Sequence, residues 1–219
     1  MIFDCDGVLV DSEILAVEVE IVLLAEVGLI YEPAEYRRRF LGLHDQAFYE
    51  ALDADYRAFA GRPLPEGFLE RTHQKRVTAC RERLSEVSGA AEAVAALRLP
   101  KAVASSSGSA FLREKLELGG LLAAFDPHVY SADLVGRGKP HPDIFLHAAE
   151  RLGADPADCI AIEDSVNGVL SARAAGMEVW GFMGGGHMDD ASGRRLIEAG
   201  AAMLVPTWAQ ARGLFAAFG

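Results

Sequence analysis

Asp4 and Asp6 flank Cys5 at the start of the chain, in the run Phe3-Asp4-Cys5-Asp6-Gly7-Val8-Leu9-Val10-Asp11-Ser12-Glu13. If the residues before Asp4 form a strand, alternation puts Asp4 and Asp6 on one side and Cys5 on the other. Two carboxylates so close repel each other and want a cation or a shared proton. A polar turn after a strand would also account for such a pair on its own. A calcium loop does not fit, because Val8 and Leu9 stand where that loop needs oxygen ligands and a glycine. Cys5 is a poor nucleophile here, since two flanking negative charges raise its pKa.

Three further clusters carry chemistry. Ser105-Ser106-Ser107-Gly108-Ser109 combines hydroxyls and backbone N–H groups at a helix start, which makes a phosphate cradle. Ser107 or Ser109 would equally serve as an N-cap. In Gly136-Arg137-Gly138-Lys139-Pro140-His141-Pro142-Asp143, glycines and prolines hold one lysine tightly, while Asp143 or His141 would suit the cap of the next helix. Ile162-Glu163-Asp164-Ser165-Val166-Asn167-Gly168 brings a second adjacent acidic pair, with Asp164 or Ser165 as alternative caps.

These clusters need a frame. Short apolar runs at Met1–Phe3, Ala102–Ala104, His128–Tyr130, Cys159–Ile162, Val179–Phe182 and Ala202–Val205 suit buried parallel strands. Only Met1 and Ile2 precede Phe3, so either the first strand is short or the sequence begins partway along it. Helical patterns at Ser109–Leu118, Pro142–Leu152, Ser165–Ala175 and Asp189–Ala199 alternate with the later runs. The alternation predicts an α/β fold with a doubly wound parallel sheet, whose ligands sit beyond the carboxyl ends of the strands. All four clusters fall at such ends, and their order discriminates more than any one of them alone. Residues 14–86 break the alternation: apolar residues recur there at helical spacing, and Pro33, Pro63 and Pro65 divide the block into several helices. The expected organisation is a core of residues 1–13 and 87–219 carrying an inserted helical domain of residues 14–86, able to open and close over the strand ends.

The chain has 219 residues, 51% hydrophobic and 24% charged, which is ordinary for a globular protein. The net charge of −11 and the lack of a basic block argue against nucleic acid as a partner. Cys5, Cys80 and Cys159 show no metal or disulfide spacing and suit a reducing compartment. No stretch approaches the roughly 18 apolar residues of a membrane span, and Asp4, Asp6 and Asp11 interrupt any signal-peptide pattern. A cytoplasmic protein is expected, without membrane or nucleic-acid partners, working as a monomer or weak dimer.

Together FDCDGVLVDSE, VASSSGS, GRGKPHPDIF and IEDSVNG resemble the four motifs of the haloacid dehalogenase-like superfamily, over nearly the whole chain. The inserted block resembles a type-1 cap, as in β-phosphoglucomutase and the sugar-phosphate phosphatases. The resemblance implies a Rossmann-like core with a mobile helical cap. It also implies a magnesium-dependent phosphatase acting on a small phosphorylated metabolite through an aspartyl-phosphate.

By that resemblance Asp4 is the nucleophile, and Asp6 is the general acid that later serves as base. Asp6 must then carry a proton in the first step, which a nearby carboxylate favours by raising its pKa. The resemblance gives Mg2+ to Asp4, Asp6 (through its backbone carbonyl), Asp164 and Glu163. It gives the phosphoryl oxygens to Ser105 and Lys139, with Ser106 for a further phosphate contact and Asn167 for a metal-bound water. The second aspartate favours phosphoryl chemistry over dehalogenation. The mutases of the family carry a cap histidine, matched here by Ala16, and a cap-loop arginine, matched by Asp45. Both departures favour a hydrolase. A phosphomutase is the runner-up, and a non-catalytic phospholigand-binding protein is the alternative of another class. Arg38, Arg39, His44, His73, Lys75 and Arg76 are the cap side chains available to read a substrate, with solvated helix faces as the competing explanation. His187, after Gly184-Gly185-Gly186, reads as a loop residue rather than a ligand.

Overall fold

The computed structural model of the protein describes residues 1–40 and 45–216, without the side chains of 45–47. Among the described residues six strands form one parallel sheet: β1 (Ile2–Phe3), β2 (Ala102–Ser105), β3 (Val129–Ser131), β4 (Ile160–Glu163), β5 (Glu178–Phe182) and β6 (Met203–Val205). Their spatial order is β3-β2-β1-β4-β5-β6. This is the doubly wound order, and the direction of winding reverses between β1 and β4. Phe3 is in register with Val103 on one side and Ile162 on the other, so β1 is the central strand despite its two residues. A ligand crevice is therefore expected where β1 and β4 end, immediately before Asp4 and at Glu163.

Alternation along β1 serves both faces of the sheet. Ile2 packs with Ala104, Phe145, Val169 and Val179 on one face. Phe3 and Cys5 pack with Phe125, Phe182 and Trp208 on the other. Removing Phe3 and Phe182 from water contributes about 1.5–3 kcal/mol each. The turn after β1 is held from that second face, where Trp208 Nε1 donates to the Val8 carbonyl at 3.0 Å.

The chain divides into two compact units, Met1–Ser12 with Leu84–Gly219, and Glu13–Arg83. The second unit is helical: α1 (Ser12–Glu26, its first residue in the other unit), α2 (Pro33–Phe40), α3 (Asp45–Ala60) and α4 (Phe68–Arg83). Pro33 stands at the first position of α2, where its missing N–H costs nothing. Leu24, Tyr36, Phe40, Leu52 and Phe68 form the core of this unit. Arg76 lies 3.3 Å from the buried carboxylate of Glu20, which also accepts from the Tyr36 hydroxyl at 2.9 Å.

In the first unit the remaining helices are α5 (Ala90–Ala96), α6 (Ser109–Leu118), α7 (Leu122–Phe125), α8 (Asp143–Leu152), α9 (Val166–Ala174), α10 (Asp190–Ala199) and α11 (Trp208–Phe215). The segments that lead out to the helical unit and back lie side by side. Val10 bridges Glu86 in antiparallel fashion, the Asp11 N–H donates to Ser85 O at 3.1 Å, and the Val87 N–H donates to Leu9 O at 2.9 Å. Among the described residues no helix is long and apolar enough to cross a membrane.

Candidate active site at the β1–β4 switch point

The Asp4 N–H donates to Ile162 O at 2.9 Å and so continues the β1–β4 pairing one residue past the strand. This places the Asp4 carboxylate in the crevice, almost fully buried. Lys139 reaches it from the loop before α8, where Gly138 and Pro140 flank the lysine and the Lys139–Pro140 bond is cis. Its ammonium donates to Asp4 Oδ1 at 2.5 Å, to Glu163 Oε1 at 2.5 Å and to the Ala104 carbonyl at 2.9 Å. Strand ends that are 135 and 24 residues from Lys139 in sequence thus converge on one cation.

Glu163 is fully buried at the end of β4, and its second oxygen accepts from the Ser165 hydroxyl at 3.0 Å and the Ser165 N–H at 3.2 Å. Gly168 makes room for it, since a Cβ there would collide with the Glu163 carboxyl group. Oxygens of Asp4, Glu163 and Asp164 all lie within 4.8 Å of one another. Burial pushes Asp4 up to about 7; Lys139 pulls against this, while Glu163 and Asp6 add to it. Burial also raises Glu163, opposed by Lys139 and reinforced by Asp164. Burial works against the charge of Lys139, yet Asp4 and Glu163 together hold it well above the usual lysine range. Three carboxylates around so small a space are a hard-oxygen donor set, which suits a small divalent cation.

Asp6 behaves differently from the expectation. Its carboxylate is turned to Lys115, which donates to it, as do the Ser12 hydroxyl and the Ser107 hydroxyl, the latter at 2.8 Å. Lys115 is buried in α6 and also donates to Ser107 Oγ at 2.7 Å. Burial alone would raise Asp6, but the Lys115 charge and these donors outweigh it and hold Asp6 down to about 2. The neighbouring carboxylate therefore does not keep Asp6 protonated in this arrangement; a lysine 109 residues away reverses the sign.

A test follows from this pairing. A carboxyl depressed to about 2 stabilises the fold above its unfolded value near 4 and loses that contribution as the pH falls towards 2. In Lys115→Met, burial is opposed only by the Ser12 and Ser107 hydroxyls, and the Asp6 pKa should rise from about 2. Carbon-13 NMR titration of Asp6 reads this shift, and activity should fall about 10- to 100-fold with a displaced acid limb. An unmoved Asp6 titration would remove Lys115 from its control.

The other expected residues are distributed as follows. Ser105 is buried beside Asp6, 3.5 Å from it, and accepts from the Ser107 N–H at 3.1 Å. Ser106 is exposed, and Asn167 is half-buried in the first turn of α9. Neither Ser107 nor Ser109 caps α6: Gly108 is the N-cap, Ser107 serves Asp6, and the Ser109 N–H donates to Asp133 at 2.7 Å. Asp143 likewise pairs with Arg137 at 3.0 Å instead of capping α8, whereas Ser165 does cap α9. In the helical unit Arg39 binds Asp55 through two nitrogens and Lys75 is exposed. His44 lies outside the described residues, and of Asp45 only the backbone is described. Burial raises the Cys5 thiol, with Asp6 adding to it, so the thiolate is disfavoured there.

Sequence reasoning passed over Lys115, Ser12 and the role of His187. Lys115 had a signal: it falls three residues after Leu112 and next to Leu116, on the buried face of α6, where a lysine has no solvent to meet. His187 is in a loop as expected, but it is buried, with Nε2 3.1 Å from Asp164 Oδ2.

Comparison with known proteins identifies the family. The family model of haloacid dehalogenase-like hydrolases matches residues 1–176. A phosphorylated carbohydrates phosphatase from Thermotoga maritima is 34% identical over 94% of this chain and 93% of its own. The 6-phosphogluconate phosphatase of Escherichia coli is 29% identical over 84% of this chain and 82% of its own. A solved HAD family hydrolase from Deinococcus radiodurans, with bound phosphate and sodium, superposes with a TM-score of 0.85 at 35% identity. That match covers 99% of this chain and 94% of the Deinococcus chain. With a six-stranded doubly wound sheet, acids at the ends of β1 and β4, and a lysine between them, the chain belongs to the haloacid dehalogenase-like hydrolase family.

Proposed function

We propose that the protein is a magnesium-dependent phosphatase that hydrolyses a small phosphorylated metabolite, a sugar phosphate or a related phosphomonoester, through an aspartyl-phosphate on Asp4. The observation that carries this reading is the Lys139 ammonium at 2.5 Å from both Asp4 and Glu163. It sets a fixed positive charge beside a carboxylate at the ligand-binding end of the sheet. The names of the relatives, which include phosphatases of 6-phosphogluconate and of phosphorylated carbohydrates, support a sugar phosphate as substrate.

A carboxylate oxygen of Asp4 attacks phosphorus, the bond to the leaving alcohol breaks, and Asp6 gives that alcohol its proton. Water then attacks the same phosphorus, Asp6 takes the water proton, and Asp4 is released with inorganic phosphate. Lys139 and Ser105 bind the phosphoryl oxygens. Lys115 and Ser107 hold Asp6 ionised until phosphoryl oxygens give those donors another acceptor, which frees Asp6 to take from solvent the proton that it then gives to the leaving alcohol. Asp4, Glu163, Asp164 and the Asp6 carbonyl would hold Mg2+, with Asn167 on a bound water. When bound, the ion supplies the charge neutralisation that lets an anionic phosphoryl group approach Asp4. The helical unit would carry the side chains that choose the substrate. The buried Cys5, Cys80 and Cys159, all reduced thiols, support a cytoplasmic location.

A panel of p-nitrophenyl phosphate and sugar phosphates, assayed for released phosphate with Mg2+ and again with a chelator, tests the reading. Release that requires Mg2+ is expected for at least one sugar phosphate. Binding of a sugar phosphate with Mg2+ but no turnover anywhere in the panel would replace it with a non-catalytic binding protein.

A further inference from the structure

We propose that His187 is a positioning residue that orients Asp164 towards the divalent cation. The proposal deepens the reading above and rests on it for the identity of the ligand.

The contact is a built one. His187 is 6% exposed, deep for a histidine in a loop between β5 and α10, and its Nε2 lies 3.1 Å from Asp164 Oδ2. Two glycines make room for the pair. Gly7 has φ +73°, and a Cβ on it would run into both Asp164 Oδ2 and the imidazole. A Cβ on Gly185 would come within 2.5 Å of the Gly7 carbonyl oxygen and 2.8 Å of His187 Cε1. Each glycine is therefore needed at closest approach, one from the turn after β1 and one from the loop after β5.

The loop itself is tied down at both ends of this contact. The Gly186 N–H donates to Asp11 Oδ1 at 3.1 Å, and the Met188 N–H donates to Gly185 O at 3.0 Å. Asp189 then caps α10 by accepting from the Ser192 N–H at 2.8 Å. The imidazole is thus fixed in place by backbone on either side, and it presents one nitrogen to one oxygen of Asp164. A carboxylate held in this way keeps one orientation relative to Asp4 and Glu163, the two acids with oxygens within 4.8 Å of one of its own. Partners that hold a metal-binding side chain commonly set about 10- to 100-fold of metal affinity.

The test measures Mg2+ binding without substrate, by isothermal titration calorimetry on the wild type, His187→Ala and His187→Gln. The Mg2+-induced rise in Tm is followed in parallel. The wild type should bind Mg2+. His187→Ala should bind it about 10- to 100-fold more weakly, and His187→Gln, which keeps a donor, should recover part of the loss. Unfolding in chelator checks that each variant is folded; if His187→Ala is not, the Gln variant against the wild type decides, with weaker Mg2+ binding expected. Equal affinity in wild type and a folded variant, or a Gln variant no tighter than the Ala variant, would overturn the role of His187 and leave the phosphatase intact. A wild type that binds no Mg2+ would overturn the metal site itself, and the positioning role with it.

Discussion

Asp4→Asn is expected to fold like the wild type and to release phosphate at least about 10^4-fold more slowly. The amide keeps the shape of the side chain but has no electron pair able to form a stable bond to phosphorus, and losses of this size follow removal of a covalent nucleophile. The fold should tolerate the change because the Asp4 carboxyl is already pushed up to about 7 by burial, so an uncharged group there is close to one of its native states. Lys139 retains Glu163 at 2.5 Å as its counter-charge. Steady-state phosphate release, acid-quench trapping of a phosphoenzyme and thermal unfolding together check the prediction. A phosphoenzyme formed by the variant, or turnover within tenfold of wild type, would exclude Asp4 as the attacking group.

Lys139→Met should damage both activity and stability, and the pH dependence should separate the two. Methionine fills the space of the lysine stem, so little packing is lost. What is lost is the only charge that touches both Asp4 and Glu163 among the described contacts. Truncating one member of a buried ionic cluster costs about 3–5 kcal/mol, because the remaining charge is left uncompensated. Both carboxyls already have raised pKa values, and without Lys139 they should rise further. A carboxyl with a raised folded pKa contributes stability below its unfolded value near 4, and that contribution is lost as the pH climbs through the folded value. The stability deficit of the variant should therefore be small near pH 4 and largest above pH 7. Urea unfolding across that range measures it. Turnover should fall at least about 10^3-fold at every pH, since the phosphoryl oxygens lose their fixed cation. A deficit independent of pH would mean that Lys139 stabilises by packing alone.

Much of the fold could be read from periodicity. The six apolar runs each coincide with a strand to within two residues at either end, and α6 spans the expected Ser109–Leu118. The helices missed have physical reasons, α7 being a single turn of four residues too short to show a period. Ala90–Ala96 is so rich in alanine that it shows no polar face, and Trp208–Phe215 packs its Trp208, Ala211 and Phe215 without a strong surrounding pattern. The acids at the ends of β1 and β4, and Lys139 between them, were legible because their order follows the strand order. What could not be read was which neighbour dominates each charge. Asp6 was assigned its proton from the adjacent Asp4, yet Lys115, from a helix after β2, sets its state. A sequence places Lys115 on a helix face; only the packed sheet brings that face within reach of Asp6. For His187 the glycines before it suggested a loop residue rather than a ligand, whereas in the fold Gly185, together with Gly7, lets the imidazole lie against Asp164.

The paired segments Leu9–Asp11 and Ser85–Val87 hold the exit and re-entry points of the chain together on the sheet side. The cost of closing a loop grows only slowly with its length once its ends are joined, so the seventy or so residues between these points burden the catalytic unit very little. The helical insert can accordingly be lengthened, shortened or exchanged as a cassette while the carboxylates and lysine keep their places. If the insert chooses the substrate, as proposed above, specificity can change there by recombination at a fixed doorway while Asp4, Lys139 and Glu163 are kept.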